Sequence, residues 1–161
     1  MMAKGTRHPV RTTLRSGFLA GVLAASMSGC GGPESPAEEQ LRAWVELGVQ
    51  AAEAKERRKL VNMISPAYAD ARGNERAAVE EMLRFYFLRM NSVELITSIE
   101  EIDVIGDSAA EVLMTVGMAG THDGVLGFSA DAYRFALELE QDGGDWLLIS
   151  ARWGELGKEL Q

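Results

Sequence analysis

The chain has 161 residues, and its 16 lysines and arginines against 24 aspartates and glutamates give a formal charge of −8. Four of the basic residues and none of the acidic ones precede residue 30, which leaves 12 basic against 24 acidic residues in the remainder. Such an acidic surface opposes binding to nucleic acid. Because Cys30 is the only cysteine, no intramolecular disulfide can form and the fold depends on its core.

The first seventeen residues contain four lysines and arginines and no acidic residue. An apolar run of ten residues, from Phe18 to Met27, follows them. This pattern is typical of an export signal, whereas a membrane-spanning helix needs roughly 20 apolar residues. Met27-Ser28-Gly29-Cys30 resembles a bacterial lipobox, with Met27 in place of the usual Leu. The resemblance implies cleavage after Gly29 and acylation of Cys30 with fatty acids such as palmitate. The alternative is a free cysteine that happens to follow an export signal.

The lipobox divides the chain into three predicted segments. Residues 1–29 are a lipoprotein signal peptide, residues 30–36 are the lipidated cysteine and a short tether, and residues 37–161 are a single domain. Two or more acyl chains on Cys30 would anchor the chain durably to a membrane. Gly31 is not the Asp that marks inner-membrane retention in enteric lipoproteins, so the resemblance favours the outer membrane, facing the periplasm.

Two helices are predicted at the start of the domain. Apolar residues at spacings of three and four predict one long helix over residues 37–64. Ser65-Pro66 ends this helix, and residues 65–74 are expected to form an irregular loop. Asn74 is the expected N-cap of a second helix over residues 75–90, whose broad apolar stripe is assigned to core packing.

After Asn91 the apolar period changes to two, which predicts four strands over residues 93–105, 111–119, 128–141 and 146–153. Gly106-Asp107 and the sequence Asp-Gly-Gly-Asp at 142–145 predict tight turns, which would join the first two strands and the last two as hairpins. Two helices followed by a four-stranded antiparallel meander predict an α+β fold. The two helices would pack on one face of a curved sheet.

This order of elements resembles the nuclear transport factor 2-like superfamily of cone-shaped, cystatin-like domains, to which ketosteroid isomerase and the polyketide cyclases belong. Residues 64–70 (ISPAYAD), 133–135 (YRF) and 145–153 resemble in particular a set of uncharacterised proteobacterial lipoproteins of that superfamily. The resemblance covers about residues 37–155. Its signals are architectural, so it implies a fold and does not supply an activity.

An isomerase of this fold would need a carboxylate base in an apolar cone, with an acid or phenol opposite it. Asp70, with Tyr68 two positions before it, is the candidate catalytic pair. The same segment also suits a loop held by tyrosine packing and by a hydrogen bond from Asp70 to Arg72 or to the backbone, and this structural role is preferred. The predicted ligand-pocket residues are Tyr68, Asp70, Tyr86, Met114, Tyr133 and Trp146.

The other candidate residues carry weaker signals. His122 is the only histidine after the signal peptide, and one histidine in a turn does not make a metal site, so neither a metal nor a cofactor is predicted. The sequence contains no metalloprotease, nucleotide-binding or serine-hydrolase motif. Arg134 and Arg152 are expected to be neighbours on the sheet, paired with Glu138 or Glu140. The alternative for these arginines is an anion-binding pocket.

Three functions remain open from the sequence. The preferred hypothesis is a non-catalytic envelope lipoprotein, anchored through Cys30, whose domain binds a small apolar ligand or an envelope protein, with homodimerisation through the open sheet face as a further expectation. The first alternative is an isomerase-like or cyclase-like enzyme that uses Asp70 and Tyr68. The second is a structural or assembly factor, which would lack a cavity large enough for a ligand.

Overall fold

The computed structural model describes residues 35–122 and 129–161. For residues 119–122 and 129–131 it describes the backbone and not the side chains. The elements are α1 (Pro36–Glu53), α2 (Arg57–Asn62), α3 (Arg76–Arg89), β1 (Met90–Ile105), β2 (Ala109–His122), β3 (Ser129–Asp142) and β4 (Asp145–Glu155). The strands form one antiparallel sheet in the order β1-β2-β3-β4. The predicted α+β fold with a four-stranded meander is therefore confirmed.

The lipobox, Cys30 and the tether up to residue 34 lie outside the described residues, so the predicted signal peptide and anchor stay predictions. The last two residues of the predicted tether, Ser35 and Pro36, instead form the N-cap and first residue of α1. Among the helices that the structure describes, none has the length and apolar character needed to cross a membrane. The described domain begins with Ser35, whose side chain accepts a hydrogen bond from the Glu38 N–H (3.2 Å) and caps α1. Pro36 occupies the first turn of α1, where its missing N–H costs nothing.

The long helix predicted over residues 37–64 is divided, so three helices rather than two pack on the sheet. The break lies at Lys55, which has a left-handed φ of 54°. The Lys55 ammonium donates hydrogen bonds to the carbonyl oxygens of Met90 (2.8 Å) and Asn91 (3.2 Å). These contacts join the end of α1 to the start of β1, and they help to hold a backbone conformation that a lysine rarely adopts.

The prediction that Asn74 caps the helix after the loop is wrong. Glu75, and not Asn74, occupies the N-cap position of α3, and its side chain makes no capping hydrogen bond. The apolar stripe of α3 is also less buried than predicted, because no side chain of this helix is buried. Phe85 is 59% exposed and Leu88 is 80% exposed. The helix is held at its start, where Val79 packs on the core that contains Ile64.

The main core lies between α1 and the sheet, and its buried members are Leu41, Val45, Ala110, Val112, Met114, Leu139 and Trp146. An irregularity in the register between β3 and β4 adds one residue to β4 near Ile149. Side chains alternate between faces along a strand, so this extra residue reverses the alternation. As a result, Leu148 before the bulge and Ala151 and Trp153 after it all pack on the helix side.

The outer edge of β4 is covered by two segments of the chain. In the loop after α2, the N–H groups of Ser65, Ala69 and Ala71 donate to the carbonyl oxygens of Leu148 (2.9 Å), Ile149 (3.1 Å) and Ala151 (3.3 Å). Further along the same edge, Trp153 and Gln161 exchange two backbone hydrogen bonds of 3.0 and 3.2 Å. Residues 155–161, called the C-terminal segment below, therefore fold back beside Trp153.

The open face of the sheet carries ion pairs. Arg134 pairs with Glu100 (2.5 Å), and Arg152 pairs with Glu111 (2.9 Å) and lies 3.9 Å from Glu138. Hydrogen bonds from Arg134 and Thr115 lower the pKa of Glu100. Glu138 is thus a partner of Arg152, as predicted. The other predicted partner, Glu140, instead accepts a hydrogen bond from the Ser65 hydroxyl (2.9 Å).

Candidate functional site

A cavity of about 470 Å³ lies at the end of the sheet opposite the two hairpin turns. One wall of this aromatic cavity is formed by Tyr133 and Phe135 of β3, Trp153 of β4 and Met118 of β2. The Phe135 and Trp153 rings are stacked, with centroids 6.4 Å apart and planes inclined by 20°. Tyr133 extends the surface, with its ring centroid 6.4 Å from that of Phe135. The Tyr133 ring is tilted by 56° from that of Phe135, so the three rings form an aromatic wall on which an apolar ring of a ligand can pack.

The C-terminal segment forms a second wall of the aromatic cavity, to which Glu155, Lys158 and Glu159 contribute. Its close approach depends on Gly154. A Cβ atom at that position would lie 2.5 Å from the Glu159 carbonyl oxygen, a distance that non-bonded carbon and oxygen atoms do not reach. Lys158 forms an ion pair with Glu155 on this wall. A glycine at the end of β4 therefore permits the C-terminal segment to form this wall of the cavity.

Arg72 completes the lining of the aromatic cavity from the loop before α3. Its guanidinium carbon lies 4.2 Å from the centroid of the Trp153 ring, in a cation–π arrangement. Its Nη2 donates a hydrogen bond to the Trp153 carbonyl oxygen (3.2 Å). Although the side chain is exposed, these two contacts hold the guanidinium beside the aromatic surface.

Tyr68 and Asp70, the candidate catalytic pair, are 5% and 7% exposed. The Asp70 carboxylate accepts hydrogen bonds from the backbone N–H groups of Arg72 (2.9 Å) and Asn74 (2.7 Å), and from the Asn74 side-chain amide (2.9 Å). These bonds close the loop before α3. They are the contacts that a loop-holding role requires. Neither Tyr68 nor Asp70 is among the described residues that line the aromatic cavity.

Burial, together with the charge and hydrogen bond of Asp70, raises the pKa of the Tyr68 phenol from its ordinary value of 10.0 to about 12. The phenol of the folded chain therefore stays protonated at a pH where the unfolded chain has released the proton. We expect the free energy of unfolding to be unaffected by this group below pH 10 and to fall by on the order of 2 kcal/mol between pH 10 and 12.

Tyr68→Phe tests this expectation, because phenylalanine cannot titrate. Urea unfolding at pH 8 and pH 11.5 should show a smaller alkaline loss of stability for Tyr68→Phe than for the wild-type chain. Tyr133→Phe is the matched control, since it removes a phenol elsewhere and leaves the Tyr68–Asp70 contact in place. An alkaline loss of the same size in all three proteins would contradict the assignment.

The structure separates the predicted ligand-pocket residues. Tyr133 lines the aromatic cavity, whereas Met114 and Trp146 are buried in the main core. The Trp146 indole N–H donates to the Gln40 side chain (3.2 Å), which fixes it against α1. Tyr86 is half-buried on α3, edge-on to Phe87. The pocket role of these residues has not been tested and stays a prediction.

Sequence reasoning missed several residues that line the cavity: Arg72, Met118, Phe135, Trp153, Lys158 and Glu159. Two signals could have found some of them. Phe135 and Trp153 are aromatic residues near the same end of the sheet as Tyr133. The residue after Trp153 is Gly154, and a glycine inside a strand often marks close approach of another backbone.

The described residues offer no cluster of three or more histidine, cysteine, aspartate or glutamate side chains placed to hold a metal ion. The side chain of His122 lies outside the described residues. Within the aromatic cavity, the acidic side chains are Glu155 and Glu159, and Glu155 is paired with Lys158. The cavity therefore combines an aromatic wall with two cations, Arg72 and Lys158, and these two carboxylates. The chemistry that it supports is binding through aromatic contacts and charged groups.

Comparison with known proteins gives the fold of the chain. No protein-family model and no curated protein matches it. A protein named as a scytalone dehydratase from Novosphingobium aromaticivorans has a TM-score of 0.67 at 10% identity, over 77% of this chain and 90% of that one. A ketosteroid isomerase-like protein from Erwinia carotovora atroseptica has a TM-score of 0.61 at 12% identity, over 74% of this chain and 96% of that one.

A third structure is named as a dehydratase of the nuclear transport factor 2-like family, from Streptomyces avermitilis. It has a TM-score of 0.65 at 12% identity, over 75% of this chain and 97% of that one. Identities this low establish the fold and carry no activity. The predicted nuclear transport factor 2-like cone is thus confirmed as the fold of this domain.

Proposed function

We propose that this chain is a membrane-anchored envelope lipoprotein whose domain binds a small ligand in the aromatic cavity. The observation that carries the proposal is the cavity itself, with Tyr133, Phe135 and Trp153 on one wall and the C-terminal segment on another. A volume of about 470 Å³ falls within the range of typical small-molecule sites. The size of the cavity and its aromatic wall support a binding function more than that of a purely structural factor.

The arrangement of carboxylates supports binding more than catalysis. General base catalysis requires a carboxylate within hydrogen-bond reach of the substrate, in a site that excludes water. Asp70 accepts three hydrogen bonds from its own loop, while Glu155 and Glu159 are exposed. The dehydratases and the ketosteroid isomerase-like protein among the fold neighbours are compatible with an isomerase-like or dehydratase-like alternative, but that alternative would need a base that reaches into the cavity.

The binding proposal is tested by fluorescence titration with N-phenyl-1-naphthylamine, an uncharged aromatic probe. The folded protein should bind the probe, and Met118→Trp should abolish that binding by filling the cavity. Ile96→Trp is the matched control, because Ile96 is 80% exposed and lies outside the cavity, so it adds the same bulk without filling the site. Absence of saturable binding, or equal binding by both variants, would contradict the proposal.

The anchor is tested separately in a Gram-negative host that expresses the full-length chain. Radiolabelled palmitate should be incorporated into the wild-type chain, which should fractionate with the outer membrane. Cys30→Ala should lose both the label and the membrane association, since no other cysteine is present. Ser28→Ala is the control, because it changes a small residue before the cysteine and keeps the thiol. An unlabelled wild-type chain would refute acylation.

A further inference from the structure

The charges around the aromatic cavity are distributed unevenly. Arg72 and Lys158 are the cations among its described lining residues, and Glu155 and Glu159 are the acids. Lys158 is paired with Glu155, whereas Arg72 has no ion-pair partner among the residues that the structure describes. The cavity therefore combines an aromatic surface with one cation that is available to a ligand.

From this combination we infer that the ligand is a flat, ring-containing monoanion whose carboxylate or sulfonate is bound by Arg72. The inference rests on the proposed binding function and names the class of ligand for the same site. A planar guanidinium binds a carboxylate or sulfonate through two parallel hydrogen bonds. Because Arg72 uses Nη2 to bond the Trp153 carbonyl oxygen, its other N–H groups remain for the anion.

The position of Arg72 fixes the geometry of such a ligand. The guanidinium lies over the Trp153 ring, next to the surface formed by Phe135 and Tyr133. An anionic group bound to Arg72 would place an attached ring against those two side chains. A side chain held by a carbonyl contact and a ring contact loses less conformational freedom on binding than a freely rotating one.

Glu159 limits the number of charges on the ligand. It lies on the wall formed by the C-terminal segment, and Glu155 beside it is neutralised only by its own pair with Lys158. A second anionic group on the ligand would approach these carboxylates and be repelled. The site therefore favours one carboxylate or sulfonate over a phosphate ester, which carries more negative charge at neutral pH.

The test compares two aromatic probes that differ in charge. 1-Anilinonaphthalene-8-sulfonate carries the predicted anionic group, and N-phenyl-1-naphthylamine lacks it. Arg72→Gln should raise the Kd for the sulfonate about fivefold to tenfold, as expected for loss of a charge-assisted contact at an exposed site, and should raise the Kd for the uncharged probe by a clearly smaller factor, since that probe loses only contact with the Arg72 side chain. Arg84→Gln is the matched control, because Arg84 is exposed on α3 and pairs with Glu81.

The outcomes separate this inference from the proposed function. If the uncharged probe binds in a manner that Met118→Trp abolishes, while Arg72→Gln leaves the sulfonate Kd unchanged, the cavity is a ligand site and the anion inference is overturned. If neither probe binds in a manner that Met118→Trp abolishes, the proposed function and the inference fail together. An equal loss for both probes in Arg72→Gln would indicate general damage to the cavity and would also overturn the anion inference.

Discussion

Gly154→Ala is expected to reduce the free energy of unfolding by about 2–3 kcal/mol, as overpacking of a closed site does, and to weaken probe binding in the aromatic cavity. The added Cβ would lie 2.5 Å from the Glu159 carbonyl oxygen and 3.3 Å from its carbonyl carbon. Because both atoms belong to the backbone, no rotamer change relieves the clash. The C-terminal segment must move away from Trp153, and one wall of the cavity moves with it.

The matched control for this substitution is Gly117→Ala on β2. A Cβ at Gly117 would lie 3.7 Å from the nearest atom, the Ile96 carbonyl oxygen, which is an ordinary contact. Urea unfolding and titration with N-phenyl-1-naphthylamine should therefore separate the two variants clearly. Wild-type stability and binding in Gly154→Ala would show that the C-terminal segment does not form a wall of the site.

Asp70→Ala should also destabilise the fold strongly, and we expect it to reduce the free energy of unfolding by about 2–4 kcal/mol. The substitution removes the carboxylate that accepts hydrogen bonds from the Arg72 N–H, the Asn74 N–H and the Asn74 side-chain amide. These donors then lose their acceptor. Hydrogen bonds to a charged group contribute about 1.5–3 kcal/mol each, and because these donors are only partly buried, water and loop relaxation recover part of the loss. Asp70→Asn keeps one acceptor oxygen and should have an intermediate effect.

Asp103→Ala is the control for Asp70→Ala, since Asp103 is exposed on β1 and should cost less than about 0.5 kcal/mol, as surface substitutions do. Urea unfolding gives the three values. A stability for Asp70→Ala equal to that of Asp103→Ala would contradict the loop-holding role. It would then reopen the alternative in which Asp70 is free to act as a base.

The sheet could be predicted because its signals are local. Alternation of apolar and polar residues located all four strands, and Gly106-Asp107 and residues 142–145 indicated both hairpin turns. The division between α1 and α2 could not be predicted in this way. It is accompanied by hydrogen bonds from Lys55 to Met90 and Asn91, which are distant in the sequence, and the apolar spacing resumes in α2 as though the helix continued.

The site was harder to predict. Alternation of apolar and polar residues along a strand shows which face of the sheet a side chain lies on, but not whether it lies in the core or lines the cavity. Met114, Trp146 and Tyr133 lie on the helix-facing side of the sheet, but the first two are buried in the main core and only Tyr133 reaches the cavity. Trp153 faces the same side as Trp146 only because of the bulge near Ile149. The wall formed by the C-terminal segment depends on contacts that no local pattern reports.

A crystal structure of the protein bound to N-phenyl-1-naphthylamine tests most directly whether the aromatic cavity is a ligand site. Density for the probe is expected against Tyr133, Phe135 and Trp153, with the C-terminal segment beside it. Density for the probe elsewhere, such as the groove between α1 and α2 that contains Leu47 and Met63, with the aromatic cavity holding none, would contradict the claim.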